Sequence, residues 1–310
     1  MRLWLRRLLI GVFLCLMTYG SLAAPLTGWI ALSDSGGVYA EAAEGLRAEF
    51  ERGQPGRVAW RIAHSAQFRK AKPDPQWVVA VGLSALRDMQ EMFANDPTPP
   101  PLLAVMVPRL AFERTADPAR LRGGLLSAVF LDQPSARQVE LVQLAIPSLR
   151  SLGVLMGGES KAHASALEKA ARERGVQLVA RQVAADGLFL ALQALLPEVD
   201  ALLALPDPGV FNSQTVANIL AATYRRRIPL IGFSPAYSRA GALVSLYSTP
   251  EQIGRRGGEV LRQSFALRSL PSPQWPREFM VTVNQDVARS LDLRLDEAQL
   301  VDALRHRERP

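Results

Sequence analysis

The stretch IPLIGFSPAYSRAGALVSLYSTPEQIG, residues Ile228–Gly254, carries the reading of the fold. Two apolar runs, Ile228–Ile231 and Ala242–Leu246, read as buried strands. Gly232-Phe233-Ser234-Pro235-Ala236-Tyr237 lies between them, a turn-rich loop with two aromatics, and Pro250 opens a helix beyond. Strands that are apolar throughout, rather than alternately apolar and polar, belong in a sheet covered on both faces. The loop that separates them is then a connection at the end of such a sheet.

Upstream, the same alternation repeats. Trp29–Leu32, Val58–Ala63, Trp77–Val81, Leu102–Val107 and Leu126–Leu131 read as strands, with helical periodicity over Tyr39–Arg52 and from Ser84 to about Asn95. A second cycle follows. Leu152–Met156, Val176–Val183 and Ala201–Leu205 are strands, Ser135–Ile146 is a helix, and Ser160 is expected to cap a helix ending at Gly175. Ala242–Tyr247 and Phe279–Val283 complete the strands, separated by a helix from about Pro250 to Ala266. Helical crossovers between buried strands imply parallel sheets in an α/β fold. Some eleven strands are many for one open sheet, which predicts two doubly wound lobes.

The N-terminus reads differently. Arg2, Arg6 and Arg7 form a basic region, Leu8–Met17 is apolar, and Ser21-Leu22-Ala23 supplies small residues for cleavage after Ala23. This is the pattern of a secretory signal over residues 1–23 and predicts a periplasmic protein. The apolar run is about half of the ~20 residues that span a bilayer, which argues against a membrane anchor. Cys15, the only cysteine, leaves with that segment, so thiol and disulfide chemistry are not expected. The net charge of +7 loses three arginines with it and becomes +4. Arg225-Arg226-Arg227 is the one tight basic cluster and falls at an expected helix end, where cations suit the helix dipole. Nucleic acid is therefore not an expected partner.

Sites in α/β sheets gather where strands run into helices. That rule selects Ser33-Asp34-Ser35-Gly36-Gly37, Gly82-Leu83-Ser84, Asp132-Gln133-Pro134-Ser135, Gly157-Gly158-Glu159-Ser160, Pro206-Asp207-Pro208 and the Gly232–Tyr237 loop. Catalytic signatures are weak. His64, His163 and His306 stand in no ligand spacing, and no phosphate-binding loop motif occurs, so neither a metal nor a cofactor is expected. Gly82-Leu83-Ser84-Ala85-Leu86 approaches a nucleophile elbow but lacks its last glycine. Ser84 reads more simply as a helix N-cap. The Ser33–Gly37 loop is either a plain turn with an acidic cap or a ligand contact, its N–H groups facing a carboxylate and Asp34 an ammonium. Phe233, Tyr237 and Tyr247 are either core or the wall of a cleft.

Residues 228–259, from IPLIGFSPAYSRAGALVSL to QIGRRGGE, resemble ABC-transporter substrate-binding proteins, the group that includes tryptophan/tyrosine-binding components. LDQPSARQVELVQLAIPSLRSLGVLMG, WVVAVGLSAL and FMVTVNQDVARSLDLRL extend the resemblance over about Trp29–Leu295. It implies a type I periplasmic-binding fold: two α/β lobes joined by a three-strand hinge, with ligand in the cleft. On that reading the first lobe is 24–125 plus 242–273 and the second is 126–241 plus 274–310. Crossings are expected near Ser127–Leu131, Gly241–Val244 and Arg277–Val281. The implied ligand contacts are Ser33, Asp34, Ser35, Gly36, Gly82 and Ser84 on the first lobe. Gln133, Pro134, Asp207, Phe233 and Ser234 stand on the second, and Tyr247 at the cleft edge. Relatives commonly carry Gly-Thr-x-Ala where this chain has Gly82-Leu83-Ser84-Ala85, so a hydroxyl is replaced by apolar bulk. The implied function is a non-enzymatic, monomeric solute-binding protein that delivers a small molecule, an amino acid or another small carboxylate or apolar solute, to a cognate ABC permease in the inner membrane. The alternatives are a periplasmic sensing module that signals to a membrane receptor, or a degenerate serine hydrolase using Ser84.

Overall fold

Eleven strands form two separate sheets in a computed structural model that describes residues 25–71, 74–158, 160, 163–184 and 187–308. The expected signal segment and its cleavage site lie outside the described residues. The first sheet contains β1 (Leu26–Leu32), β2 (Val58–His64), β3 (Trp77–Val81), β4 (Leu102–Val107) and β5 (Leu126–Phe130), in the order β2-β1-β3-β4-β5. Every pairing in it is parallel. The second contains β6 (Ser151–Met156), β7 (Gln177–Gln182), β8 (Ala201–Leu203), β9 (Leu230–Gly232), β10 (Val244–Tyr247) and β11 (Met280–Val283), in the order β11-β10-β9-β8-β6-β7. Only the β10–β11 pairing is antiparallel. The two doubly wound lobes expected from the apolar runs are present.

The runs are apolar because both faces of each sheet are covered. In β3, Val78 and Ala80 enter one core, while Trp77, Val79 and Val81 enter the other. β1 divides likewise, Trp29 and Ala31 against Ile30 and Leu32. The alternation is the period of two that a pleated strand imposes. β4 breaks it at one point. Leu103 and Val105 share a core, and Met106 joins the same one before Val107 returns to the opposite face. The register against β5 shifts between Val105 and Val107, and Met106 has a φ of +58°. An extra residue in the left-handed region is a β-bulge, which bends the strand end and re-aims its side chain.

Helix α1 (Gly37–Gly53) covers one face of the first sheet, and α2 (Leu83–Met92) helps cover the other. After β4 the chain forms two short helices, α3 (Arg109–Thr115) and α4 (Pro118–Arg122). In the second lobe α5 (Ser135–Ala145), α6 (Ala164–Arg172), α7 (Leu188–Leu195), α8 (Val216–Arg225) and α9 (Pro235–Ala240) connect the strands. The helix expected to start at Ser160 is Ala164–Arg172, and the Ser160 hydroxyl donates to Asp207 and accepts the Gly157 N–H.

After β10 the chain returns to the first lobe as α10 (Pro250–Ser264). Thr249 and Gln252 close a capping box at its start. It lies against α1 so closely that a Cβ at Gly254 would collide with the Ala42 carbonyl. The third passage starts at Gln274, which pairs with β5 through Phe130 N–H to Gln274 O (3.0 Å) and Gln274 N–H to Ala128 O (2.9 Å). It ends in β11, followed by α11 (Gln285–Ser290) and α12 (Glu297–Arg307) in the second lobe.

The sheets divide the chain later than expected. Residues 126–130 are expected in the second lobe, but β5 pairs with β4 along its length in the first sheet. Residues 242–247 are expected in the first, but β10 pairs with β9 and β11 in the second sheet. The physical reason is hydrogen bonding: each strand completes its ladder before the chain leaves the sheet. The passages between lobes therefore fall at about residues 131–134, 248–249 and 275–279.

Candidate functional site

A cavity of about 570 Å³ opens between the two sheets, at the passages that join them. The first lobe contributes Val38 and Glu41 from α1, then Met106 and Pro108 from the end of β4. The bulge that reverses the phase of β4 thus places the Met106 side chain on the cavity wall. The second lobe contributes Pro206, Phe233, Ser234, Arg239 and Leu246. Tyr247 ends β10, and Leu131, Asp132, Gln133 and Ser248 come from the passages themselves.

Four of the expected contacts meet here: Gln133, Phe233, Ser234 and Tyr247. Phe233 is half-buried, its ring centroid 4.6 Å from that of Tyr237, which in turn packs edge-on to Phe211 at 6.4 Å. Tyr237 is core, and burial pushes its phenol up to about 12. Ser234 occupies the N-cap position of α9 without making a side-chain capping bond. The Tyr247 hydroxyl pairs with Thr282 Oγ1 at 2.9 Å.

Gln133 is spent on the hinge. Its Nε2 donates to Ser248 Oγ (2.9 Å), and its Oε1 accepts from Arg137 Nη1 (2.6 Å). Ser248 Oγ donates onward to Glu278 O, and Arg137 Nη1 also donates to Pro276 O (3.2 Å). One hydrogen-bond network therefore links all three passages. Arg137 is anchored behind it by Glu308 at the end of α12 (2.5 and 2.9 Å) and by the Phe279 ring 4.3 Å away.

The first-lobe contacts do not line this cavity. Ser33 Oγ accepts the Ala85 N–H at 3.0 Å and so caps α2 from the end of β1. Ser84, expected as that cap, is exposed on the first helical turn, and the N-cap position belongs to Gly82. The correction has a steric cause. Gly82 has a φ of +93°, and a Cβ there would strike the Ser33 hydroxyl that does the capping. Asp34 is exposed and accepts the Gly36 N–H at 3.3 Å within its own loop; Ser35 and Gly36 are also exposed.

Pro134 precedes α5 and faces a second hollow of about 440 Å³, shared with Arg109 and Trp275. Asp207 is buried and fully occupied. It accepts from Gly157 N (3.1 Å), Ser160 N (2.8 Å), Ser160 Oγ (2.7 Å) and Gly209 N (2.9 Å), which ties the loop after β6 to the loop after β8. His163, beside this loop, is held down to about 4 by burial first and then by the Arg109 charge.

Sequence reasoning passed over the most unusual group in the cavity. Asp132 is buried, its Oδ1 accepting the Arg109 N–H at 2.7 Å, while its Oδ2 has no partner. Burial pushes its carboxyl up to about 6, against the pull of that bond and of the Arg109 charge. The signal was an acid directly after an all-apolar strand, within a loop already selected by the strand-end rule. Met106 gave no signal, since an apolar residue in β4 suits either face.

The sequence profile of the family described as ABC transporter substrate binding protein matches residues 122–307. No curated protein matches the chain. Solved structures do. A ligand-free, open substrate-binding protein with adhesive properties, CD0873 from Clostridium difficile, superposes with a TM-score of 0.69 at 15% identity, over 89% of this chain and 98% of that one. An ABC domain from Streptococcus pneumoniae in complex with L-Trp gives 0.60 at 15% identity, over 89% and 97%. A periplasmic ribose ABC transporter protein from Conexibacter woesei gives 0.55 at 14%, over 91% and 99%. At such identities these likenesses establish the type I periplasmic-binding fold and nothing about ligand. With the profile spanning more than half of the sequence, this chain belongs to the ABC-transporter substrate-binding protein family.

Proposed function

We propose that the protein captures a small organic solute in the periplasm by closing its two lobes over the cleft, as a monomer, and hands it to an ABC permease in the inner membrane. One observation carries this reading: the cavity draws its wall from both lobes and from two of the three passages between them. A solute there touches both jaws at once. Such contacts exist only when the jaws are close, so the solute binds the closed form more tightly and shifts the population toward it. The permease reads that closed form.

The wall suits a solute with an apolar body, offered Met106, Phe233 and Leu246, and a few polar groups. An amino acid fits that description, and the L-Trp complex of a structural relative supports it. The arginine-rich start, the apolar run Leu8–Met17 and Ala23 support export. Native mass spectrometry of protein purified without refolding tests the capture. A discrete small mass, released on denaturation, is expected. A solute-free protein whose melting temperature is unmoved by amino acids, amines, carboxylates and sugars would remove the reading.

A further inference from the structure

Asp132 is the one residue of the cavity wall with an unpaired buried side-chain atom among the described residues. Buried polar atoms are almost always paired, and an unpaired acidic oxygen in a dry wall is unusual. Six buried side-chain atoms among the described residues lack a partner, and Asp132 Oδ2 is the only one whose residue lines this cavity. Among the other polar groups there, Gln133 pairs with Ser248 and Arg137, Tyr247 with Thr282, and Thr249 with Gln252; Gln138 and Ser234 line the cavity as neutral groups.

No buried cation complements Asp132 from across the cavity. Arg239 lines it but is exposed on α9, and Glu41 is exposed on α1. Arg109 turns its guanidinium to Glu113 (2.6 Å) and lies 5.8 Å from the Trp275 ring. Arg137, on α5, is taken by Gln133 and Glu308. The wall therefore holds one unpaired buried carboxylate oxygen and, among the described residues, no buried cation for an anion.

We infer that Asp132 receives the ammonium group of the solute, that Met106, Phe233 and Leu246 take its apolar body, and that a carboxylate on the solute is not required. The cleft is then a site for apolar organic amines, of which an amino acid is one case. This rests on the clamp reading. It also moves the ammonium contact from Asp34, which is exposed and occupied by its own loop, to the hinge.

Calorimetry of the whole protein with three matched probes tests it: 2-phenylethylamine, L-phenylalanine and 3-phenylpropionate. At pH 7.5 the first two should bind within about tenfold of each other and the third at least about tenfold more weakly than the amine, the effect of one charge-assisted hydrogen bond. Asp132→Asn should weaken amine binding by at least about tenfold. In the unaltered protein, amine affinity should rise from pH 5 to pH 7.5 as Asp132 ionises, whether or not the variant folds. Glu113, Glu41, Arg109 and Arg239 are the other charged groups around it. Absent amine binding at millimolar concentration, amine binding unchanged in Asp132→Asn, or tighter binding of 3-phenylpropionate would each overturn the inference. If 3-phenylpropionate bound tightly and also compacted the protein in small-angle scattering, the clamp would stand and the amine would fall. If the amine bound without compaction, the clamp would fall and Asp132 would stand.

Discussion

Asp132 and Asp207 are two buried aspartates with opposite roles, and their hydrogen bonds tell them apart. Asp207 accepts four bonds and holds two loops together, so Asp207→Ala leaves buried N–H groups unpaired. We expect a loss of roughly 3 kcal/mol or more in urea denaturation; an unchanged midpoint would show the network to be dispensable. Asp132 accepts one bond and is held protonated up to about pH 6. An ordinary aspartate in the unfolded chain ionises near 3.9. Between these values the folded state binds more protons, so the stability from Asp132 is full below about pH 4 and falls as pH rises through about 6. Asp132→Asn should therefore melt higher than the unaltered protein at pH 7.5, by on the order of 2–3 kcal/mol, and the advantage should shrink toward pH 4.5. An Asp132→Asn variant less stable at pH 7.5 would contradict this. A carboxylate kept at a cost to stability is what a binding group looks like. Little of this was legible in the sequence, where both residues read simply as acids in strand-end loops. What separates them is Ser160 and Gly157 closing over one of them, a long-range arrangement with no local pattern.

Among the elements, α10 shows how a helix can run against its own propensity. Gly254, Gly257 and Gly258 lie inside it and cost helix stability, yet Gly254 lets α1 pass within contact of the backbone. Alanine is better than glycine in a free helix by about 1 kcal/mol. Here Gly254→Ala should instead destabilise by about 1–3 kcal/mol, because the added methyl meets the Ala42 carbonyl. A thermal melt shifted upward would mean that the helices can move apart freely. The strands themselves were legible, since an all-apolar run in a parallel sheet looks the same in sequence and in structure. The points where the chain leaves each sheet were not. β5 and β10 are as apolar at their ends as in their middles, and only the hydrogen-bond ladder shows where each stops. The bulge at Met106 was hidden for the same reason.

At the scale of the whole molecule, the two sheets are joined by passages that are themselves cross-linked. Gln133, Ser248 and Arg137 tie the three together, and Glu308 holds Arg137 from the far end of the chain. Under the proposed clamp, the lobes would rotate about these cross-linked passages with the cavity beside them. The Gly232–Tyr237 loop forms one wall of that cavity through Phe233 and Ser234, facing Met106 and Val38 of the other lobe. The two-lobed fold was readable from the number of strands and the resemblance of residues 228–259 to binding proteins. Of the expected contacts, only Gln133, Phe233, Ser234 and Tyr247 were readable as parts of the cavity wall, because Ser33, Gly82 and Ser84 build the start of α2 and Asp207 ties two loops together. Small-angle scattering with and without a solute that calorimetry shows to saturate the cleft tests closure directly. Closure gives a smaller radius of gyration in the saturated protein; an identical profile at saturation would contradict it.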